Sequence, residues 1–143
     1  MKQSIGLTYM LNFIIIFIVI TFAFLFGIMS YYKAFKVNSR ISNAIENHEG
    51  YNSLASKEID NVLNTLGYIK GKVDCPTRNY KGKQYTANVK NNFAICVYEY
   101  PVNSSGYFRY GIVTYISIDV PIINKNLKIP VYTETEKIYK FNA

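Results

Sequence analysis

The run from Met10 to Val37, MLNFIIIFIVITFAFLFGIMSYYKAFKV, constrains this chain more than any other feature. Between Phe13 and Met29 only Thr21 and Gly27 interrupt the apolar side chains, and Met10–Asn12 and Ser30–Tyr32 extend the block at either end. As a helix rising 1.5 Å per residue, the block is long enough to cross a bilayer core of about 30 Å. A helix in a soluble core is seldom apolar on every face. A cleaved secretory signal carries a shorter apolar region followed by small residues, whereas this block leads into bulky Tyr31, Tyr32 and Phe35. The expectation is an uncleaved anchor, with Tyr9, Tyr31 and Tyr32 at the two interfaces, where amphipathic rings prefer to sit.

The part beyond the anchor suffices for one small domain with a modest core. Its charge is uneven. The whole chain carries 16 Lys and Arg against 9 Asp and Glu, and between Lys70 and Lys90 the cations Lys70, Lys72, Arg78, Lys81, Lys83 and Lys90 face only Asp74. No groove-reading motif or stacking pattern accompanies this run, so a solvated loop is the favoured reading and nucleic acid a disfavoured partner. Contact with another polyanion stays open.

Cys75 and Cys96 are the whole thiol inventory. In an exported domain they are compatible with one disulfide, which would stabilise the fold by about 3 kcal/mol; in a cytoplasmic one they are reduced core thiols. Two cysteines and the single His48 are too few for a metal site. The flanking charges bear on the choice of side. Lys33, Lys36 and Arg40 follow the span and Lys2 precedes it, so the positive-inside rule taken alone leaves the C-terminal domain in the cytoplasm.

Past the anchor, Ala34, Val37, Ile41, Ala44, Ile45 and His48 share one face at helical spacing. No breaker intervenes, which predicts one helix from about Tyr9 to Glu49, stopped by Gly50, with an amphipathic outer half in need of a partner surface. A short second helix is predicted with Ser56 as its cap, Ile59, Val62, Leu63 and Leu66 as its apolar face and Gly67 as its end. The period then changes. FAICVYEY from Phe93, YFRYGIVTYISIDVP from Tyr107 and NLKIPVYTETEKIY from Asn126 read as strands, with Ile112, Thr114, Ile116, Ile118 and Val120 on one face of the second and Leu127, Ile129, Val131 and Thr133 on one face of the third. The expected fold class is α+β: a long transmembrane and stem helix, a short helix, and a three- to four-stranded antiparallel meander whose weak fourth strand lies between Tyr85 and Val89. Pro130 marks the last strand as an edge. The expected organisation is a tail over 1–8, a transmembrane helix over 9–32, an amphipathic stem over 33–50 and a head over 51–143. Asn103-Ser104-Ser105 matches a glycosylation acceptor but is better read as a hairpin turn.

There is no catalytic constellation: one histidine, no glycine-rich phosphate loop, no H-E-x-x-H and scattered carboxylates. His48 is read as a packed or interfacial histidine without a partner. No cofactor and no small-molecule substrate are expected.

A membrane helix prolonged into an amphipathic helix and capped by a small antiparallel sheet is similar in plan to pilins. The stretch FLFGIMSYYKAFKVNSRISNAIENHEGY and the closing YGIVTYISIDVPIINKNLKIPVYTETEKIY resemble the TadE-like minor pilins, or pseudopilins, of the tight-adherence branch of type IV pilus-like machines. The basic middle, Lys70 to Lys90, lies outside the resemblance. One departure is the glutamate such proteins carry early in the apolar helix, after a glycine-marked processing site; here Gly6 is followed by LTYMLNF, with Leu11 or Asn12 where the acid belongs. Asn12 can still supply an interhelical hydrogen bond. The resemblance implies a cytoplasmic N-terminus, an exported head, a Cys75–Cys96 disulfide, and assembly with pilin-like subunits or assembly proteins through a helix that includes Asn12, Gly27, Val37, Ile41 and Ile45. The alternative is a membrane-tethered module holding an anionic envelope polymer or DNA against the 70–90 segment.

Overall fold

The structure, a computed structural model, describes residues 2–102, 106–120 and 125–140. The Asn103–Ser105 turn and the Pro121–Asn124 part of the second turn lie outside the described residues. Helix α1 runs over Lys2–Asn47, so residues 2–8, expected as a tail, are helical. Thr8 Oγ1 donates to the Ser4 carbonyl at 2.9 Å and Thr21 Oγ1 to the Phe17 carbonyl at 2.8 Å. Back-bonding of this kind leaves neither hydroxyl without an acceptor, which suits a helix in lipid.

The chain divides into two compact units, Met1–Lys33 and Ala34–Ala143. The first is the apolar part of α1, long and apolar enough to cross a membrane, and every large apolar side chain from Ile5 to Met29 is exposed. The second is an α+β head that includes the last turns of α1, a correction to the expected boundary at 50/51. These turns are not a separate stem but a wall of the head's core.

That wall ends in a capping arrangement. The Glu49 N–H bonds to the Glu46 carbonyl at 3.2 Å and the Gly50 N–H to the Ile45 carbonyl at 2.9 Å, the paired bonds of a Schellman motif. The left-handed residue is Glu49, with φ of 55°, and not Gly50 as the sequence suggested. Gly50 is required for space as well as for its own φ of 141°, because a Cβ there would meet the Tyr110 hydroxyl at 3.1 Å. Helix α2, Ser53–Thr65, is capped by Asn52, whose Oδ1 accepts from the Ala55 N–H at 2.9 Å. Ser56, the expected cap, lies buried inside the helix. Ile59 and Leu63 are enclosed, whereas Leu66 is exposed at the C-cap, and Gly67 ends the helix at φ 63° as expected.

Six strands follow: β1 Arg78–Tyr80, β2 Lys83–Tyr85, β3 Ile95–Pro101, β4 Tyr107–Val120, β5 Lys125–Glu134 and β6 Ile138–Tyr139. β3, β4 and β5 form the antiparallel meander, and β6 returns to β4 through the Tyr107↔Tyr139 and Phe108↔Ile138 pairs. Pro130 sits on an edge strand, since β5 pairs with β4 alone. Between β5 and β6 the ladder is maintained by Thr135, whose N–H donates to the Tyr110 carbonyl at 2.9 Å and whose hydroxyl accepts from the Tyr110 N–H at 3.0 Å. The strand expected at 85–89 is absent there. In its place β1 and β2 form a separate hairpin, and the Asn88 N–H donates to the Val97 carbonyl at 2.8 Å.

The sheet is buried on both faces. On one, Val37, Ile41, Ala44 and Ile45 of α1 and Ile59 and Leu63 of α2 pack on Phe93, Ile95, Val97, Tyr110, Ile112 and Ile138. On the other, Cys96, Tyr98, Tyr100 and Val113 are covered by Val73, Cys75, Tyr80, Tyr85 and Ala87. The basic segment is therefore a flap over the sheet and not a solvated loop. Gly111 makes the tyrosine layer possible, because a Cβ there would stand 2.6 Å from the Tyr132 hydroxyl and 2.8 Å from the Tyr100 ring.

The Cys75–Cys96 disulfide fastens this flap to β3. Replacing both cysteines by serine should lower the urea unfolding midpoint of the detergent-solubilised chain by the equivalent of about 3 kcal/mol. Limited proteolysis should then cut first between Val73 and Ala87. A midpoint unchanged under oxidising conditions would contradict the role given to the bridge.

Candidate functional site

Two surfaces carry the residues singled out by the sequence: the apolar helix and the basic flap. On the helix, Asn12 and Gly27 are exposed, and at 100° per residue they lie about 60° apart around the axis with Ile16 and Ala23 between them. Gly27 opens a shallow apolar groove lined by Ile20, Ala23, Phe24, Gly27, Ile28 and Tyr31. Ala23 was missed by the sequence reading, although Ala23 and Gly27 make the small-xxx-small spacing that lets helix backbones approach closely in lipid.

The other three assembly candidates are elsewhere. Val37, Ile41 and Ile45 are buried in the head's own core, so the expectation that Val37 meets a partner is corrected. The cause is that the last turns of α1 pack in one core with α2, β3, β4 and β6, and Ala34, a turn before Val37, is itself buried. Asn38 on the same face is fully buried as well, and its Nδ2 donates to the Val131 carbonyl at 3.3 Å.

The six basic candidates divide by their surroundings. Arg78 lies with its guanidinium 3.8 Å from the Tyr132 ring centre, a cation–π contact that also seals the tyrosine layer. Lys90 Nζ donates to the Tyr51 carbonyl at 2.9 Å and stands 5.3 Å from the Tyr51 ring. Lys81 occupies the hairpin turn at φ 48°, its ammonium 5.7 Å from the Tyr80 ring. Lys70 pairs with Phe93 in an isolated bridge. Lys70, Lys72, Lys81 and Lys83 are exposed.

Aromatic rings do accompany the basic run, contrary to the sequence reading. Tyr80 stacks on Tyr100 with centroids 4.3 Å apart, and Tyr85 meets Tyr100 edge-on at 5.2 Å. These faces are spent on one another. The partner that assembles them, Tyr100 on β3, lies outside the basic run and gave no signal there.

A buried polar hub joins α2 to the segment before β3. Asn91 accepts from the Tyr51 hydroxyl, and its Nδ2 donates to the Ser56 carbonyl at 3.0 Å and to Asp60 Oδ1 at 2.8 Å. The Lys90 N–H in turn donates to the Tyr51 oxygen at 3.0 Å. His48, expected to lack a partner, has one: its Nε2 lies 2.6 Å from Glu58 Oε2. Both groups are partly exposed, so the pair is a modest tie between the two helices. Among the described residues no three His, Cys, Asp or Glu side chains converge to hold a metal ion.

Burial, opposed by the Lys90 N–H and reinforced by Asp60, pushes the Tyr51 phenol up to about 12. Burial, opposed by the Tyr115 N–H, pushes Tyr68 to about 12 as well. An unfolded phenol ionises near pH 10, while these keep their protons until about pH 12. Between those values the folded state holds more protons, so stability is fully present below about pH 10 and is lost as pH rises toward 12. Urea midpoints measured from pH 8 upward should fall over that window, and Tyr51→Phe should flatten the fall.

Ile41→Asp probes the other face. A carboxylate there is enclosed without a partner, so the head should lose several kcal/mol of stability, read as a lowered thermal midpoint of the full chain in detergent. Against known proteins, no family model, no curated protein and no solved structure matches this chain.

Proposed function

We propose that this chain is a non-enzymatic, membrane-anchored subunit, pilin-like in plan, that joins copies of itself or other subunits of a surface or secretion apparatus through its N-terminal helix. The N-terminus is cytoplasmic and the head extracytoplasmic in this reading. The observation that carries it is the division of labour along α1. Its last turns are consumed by the head's core, while the preceding helix leaves all its large apolar side chains uncovered. Lipid can cover that surface, but the Asn12–Ala23–Gly27 face offers what lipid does not need: a notch for a close backbone and a polar side chain able to bond across helices. The Cys75–Cys96 disulfide supports an oxidising compartment for the head. The TadE-like resemblance of the helix and closing strands agrees with this reading.

A second reading is favoured by one observation. Lys70, Lys72, Lys81 and Lys83 stay exposed on a flap that the disulfide holds to the sheet, which would present fixed charge to an anionic polymer. In that case charge-removing substitutions in the flap abolish polymer retention and leave association intact.

Cysteine crosslinking in native membranes tests the assembly reading, since the two natural cysteines are already paired. Ala23→Cys and Gly27→Cys should give crosslinked dimers or partner adducts, whereas Ile18→Cys and Leu25→Cys, on the opposite helix face, should give few. Equal yields from both faces would remove the proposed interface. Labelling of the natural cysteines in intact cells by an impermeant thiol reagent, only after reduction, is the expected result for an exported head.

A further inference from the structure

β5 and the residues that follow it run along the last turns of α1 in the same direction as the helix. Glu46 Oε1 accepts from the Glu136 N–H at 3.0 Å, and eight residues earlier in the helix Asn38 Nδ2 donates to the Val131 carbonyl at 3.3 Å. From Glu46 back to Asn38 is about 12 Å of helix, and from Glu136 back to Val131 about 16 Å of extended chain. The strand residues before Val131 therefore continue past Asn38 toward Ala34, the end of the head at which the chain arrives from the apolar segment. Ala34 is about 6 Å beyond Asn38 along the helix, and Lys128 about 10 Å beyond Val131 along the strand.

At that end the sheet thins to two strands. The β3 ladder on β4 stops at Thr114, whereas β4 and β5 stay paired from Ile116↔Ile129 through Ser117↔Lys128 to Val120↔Lys125. A two-stranded ribbon is marginal in water unless something covers it. Its root is open: Ser117, Lys128, Ile129 and Pro130 are all exposed. The neighbouring turns of α1 add exposed Phe35, Lys36 and Arg40. Across residues 33–40 there is no acid, and across 116–130 Lys125 and Lys128 oppose only Asp119. Exposed apolar side chains interleaved with cations, beside the chain's point of arrival from an apolar helix, match the headgroup layer of a membrane.

We propose that this end of the head, formed by Lys128 and Ile129 at the ribbon root with Phe35, Lys36 and Arg40 of α1, rests on the surface of a bilayer containing anionic lipid. The occupant is lipid because both requirements, negative charge and an apolar layer beneath it, are met together at the headgroup boundary. This rests on reading Phe13–Met29 as membrane-spanning. The head is then seated on the membrane and held there by charge, so that its orientation depends on lipid composition and ionic strength.

Amide hydrogen exchange of the full chain in lipid nanodiscs tests this. With phosphatidylglycerol present, the amides of residues 117–120 and 125–129 should exchange about tenfold more slowly than in phosphatidylcholine alone. Salt at about 0.5 M should remove the difference by screening, and so should the combined Lys36→Gln, Arg40→Gln and Lys128→Gln substitutions. Unchanged exchange in α2 and β3 verifies that the substituted chain is folded. Equal rates in the two lipids overturn the proposal, as does protection that survives salt and substitution, which would assign the ribbon to a protein neighbour or an apolar contact. Alkaline carbonate extraction of the chain from vesicles separates the two levels: a chain that washes off overturns the spanning reading and this proposal together, whereas equal exchange in a chain that stays inserted overturns the proposal alone.

Discussion

Ile41 and Ile45 are fully enclosed between the sheet and α2, and the rest of the head is arranged around that contact. Each fully buried side chain of this kind contributes about 1.5–3 kcal/mol, Val37 extends the seam by one turn before Ile41, and Ala44 fills it between the two isoleucines. The register of everything else follows. The Schellman turn at Glu49 and Gly50 brings the chain back so that α2 can lay Ile59 and Leu63 beside the same seam, and Asn91 then locks α2 to the start of β3. Because these four seam residues belong to the helix that begins at Lys2, the head's core is built in part from the end of the long apolar helix.

The far face of the sheet solves a different problem. β3 alternates Ile95 and Val97 toward the helices with Cys96, Tyr98 and Tyr100 toward the flap, so the strand is buried on both faces. Tyrosine suits that second layer because its ring packs while its hydroxyl reaches an acceptor: Tyr98 donates to the Pro76 carbonyl at 2.5 Å and Tyr132 to Glu134 at 3.0 Å. Tyr68 does the same at the sheet margin, accepting from the Tyr115 N–H and donating to the Ala94 carbonyl, each at 2.8 Å. Thus the hydroxyl caps β4 where β3 has ended. The flap has little aliphatic area of its own, and the disulfide supplies the remaining constraint by shortening the loop that must be ordered.

Much of this was legible in the sequence where a single periodicity governed. The long helix, the second helix ending at Gly67, the order of the three long strands and the edge position of Pro130 all follow from spacing and from the conformational limits of glycine and proline. What was not legible depends on two segments meeting. Glu49 takes the left-handed position beside a glycine because the turn needs Gly50 for closeness to Tyr110. Val37 looked free because its cover comes from elements at the other end of the chain. The 70–90 run looked solvated because lysine dominates its composition, while Val73, Tyr80 and Tyr85, spaced among the lysines, carry its packing. Asn91 and Asn38 gave no signal, since a buried amide is defined by the groups that meet it.

The charge conflict at the membrane changes character once the head's boundary is moved to Ala34. The positive-inside bias is counted over short loops and over residues near the span that are free to be retained, while long domains cross largely regardless of their charge. Lys36 and Arg40 flank Ala34, Val37 and Asn38, which are part of a folded core of about 110 residues, so they belong to a domain and not to a tail. Counted as part of a folded domain, Lys36 and Arg40 do not by themselves assign the head to the cytoplasm, and in the proposed reading the Cys75–Cys96 pair, of a kind that persists in oxidising compartments, bears on the side more directly.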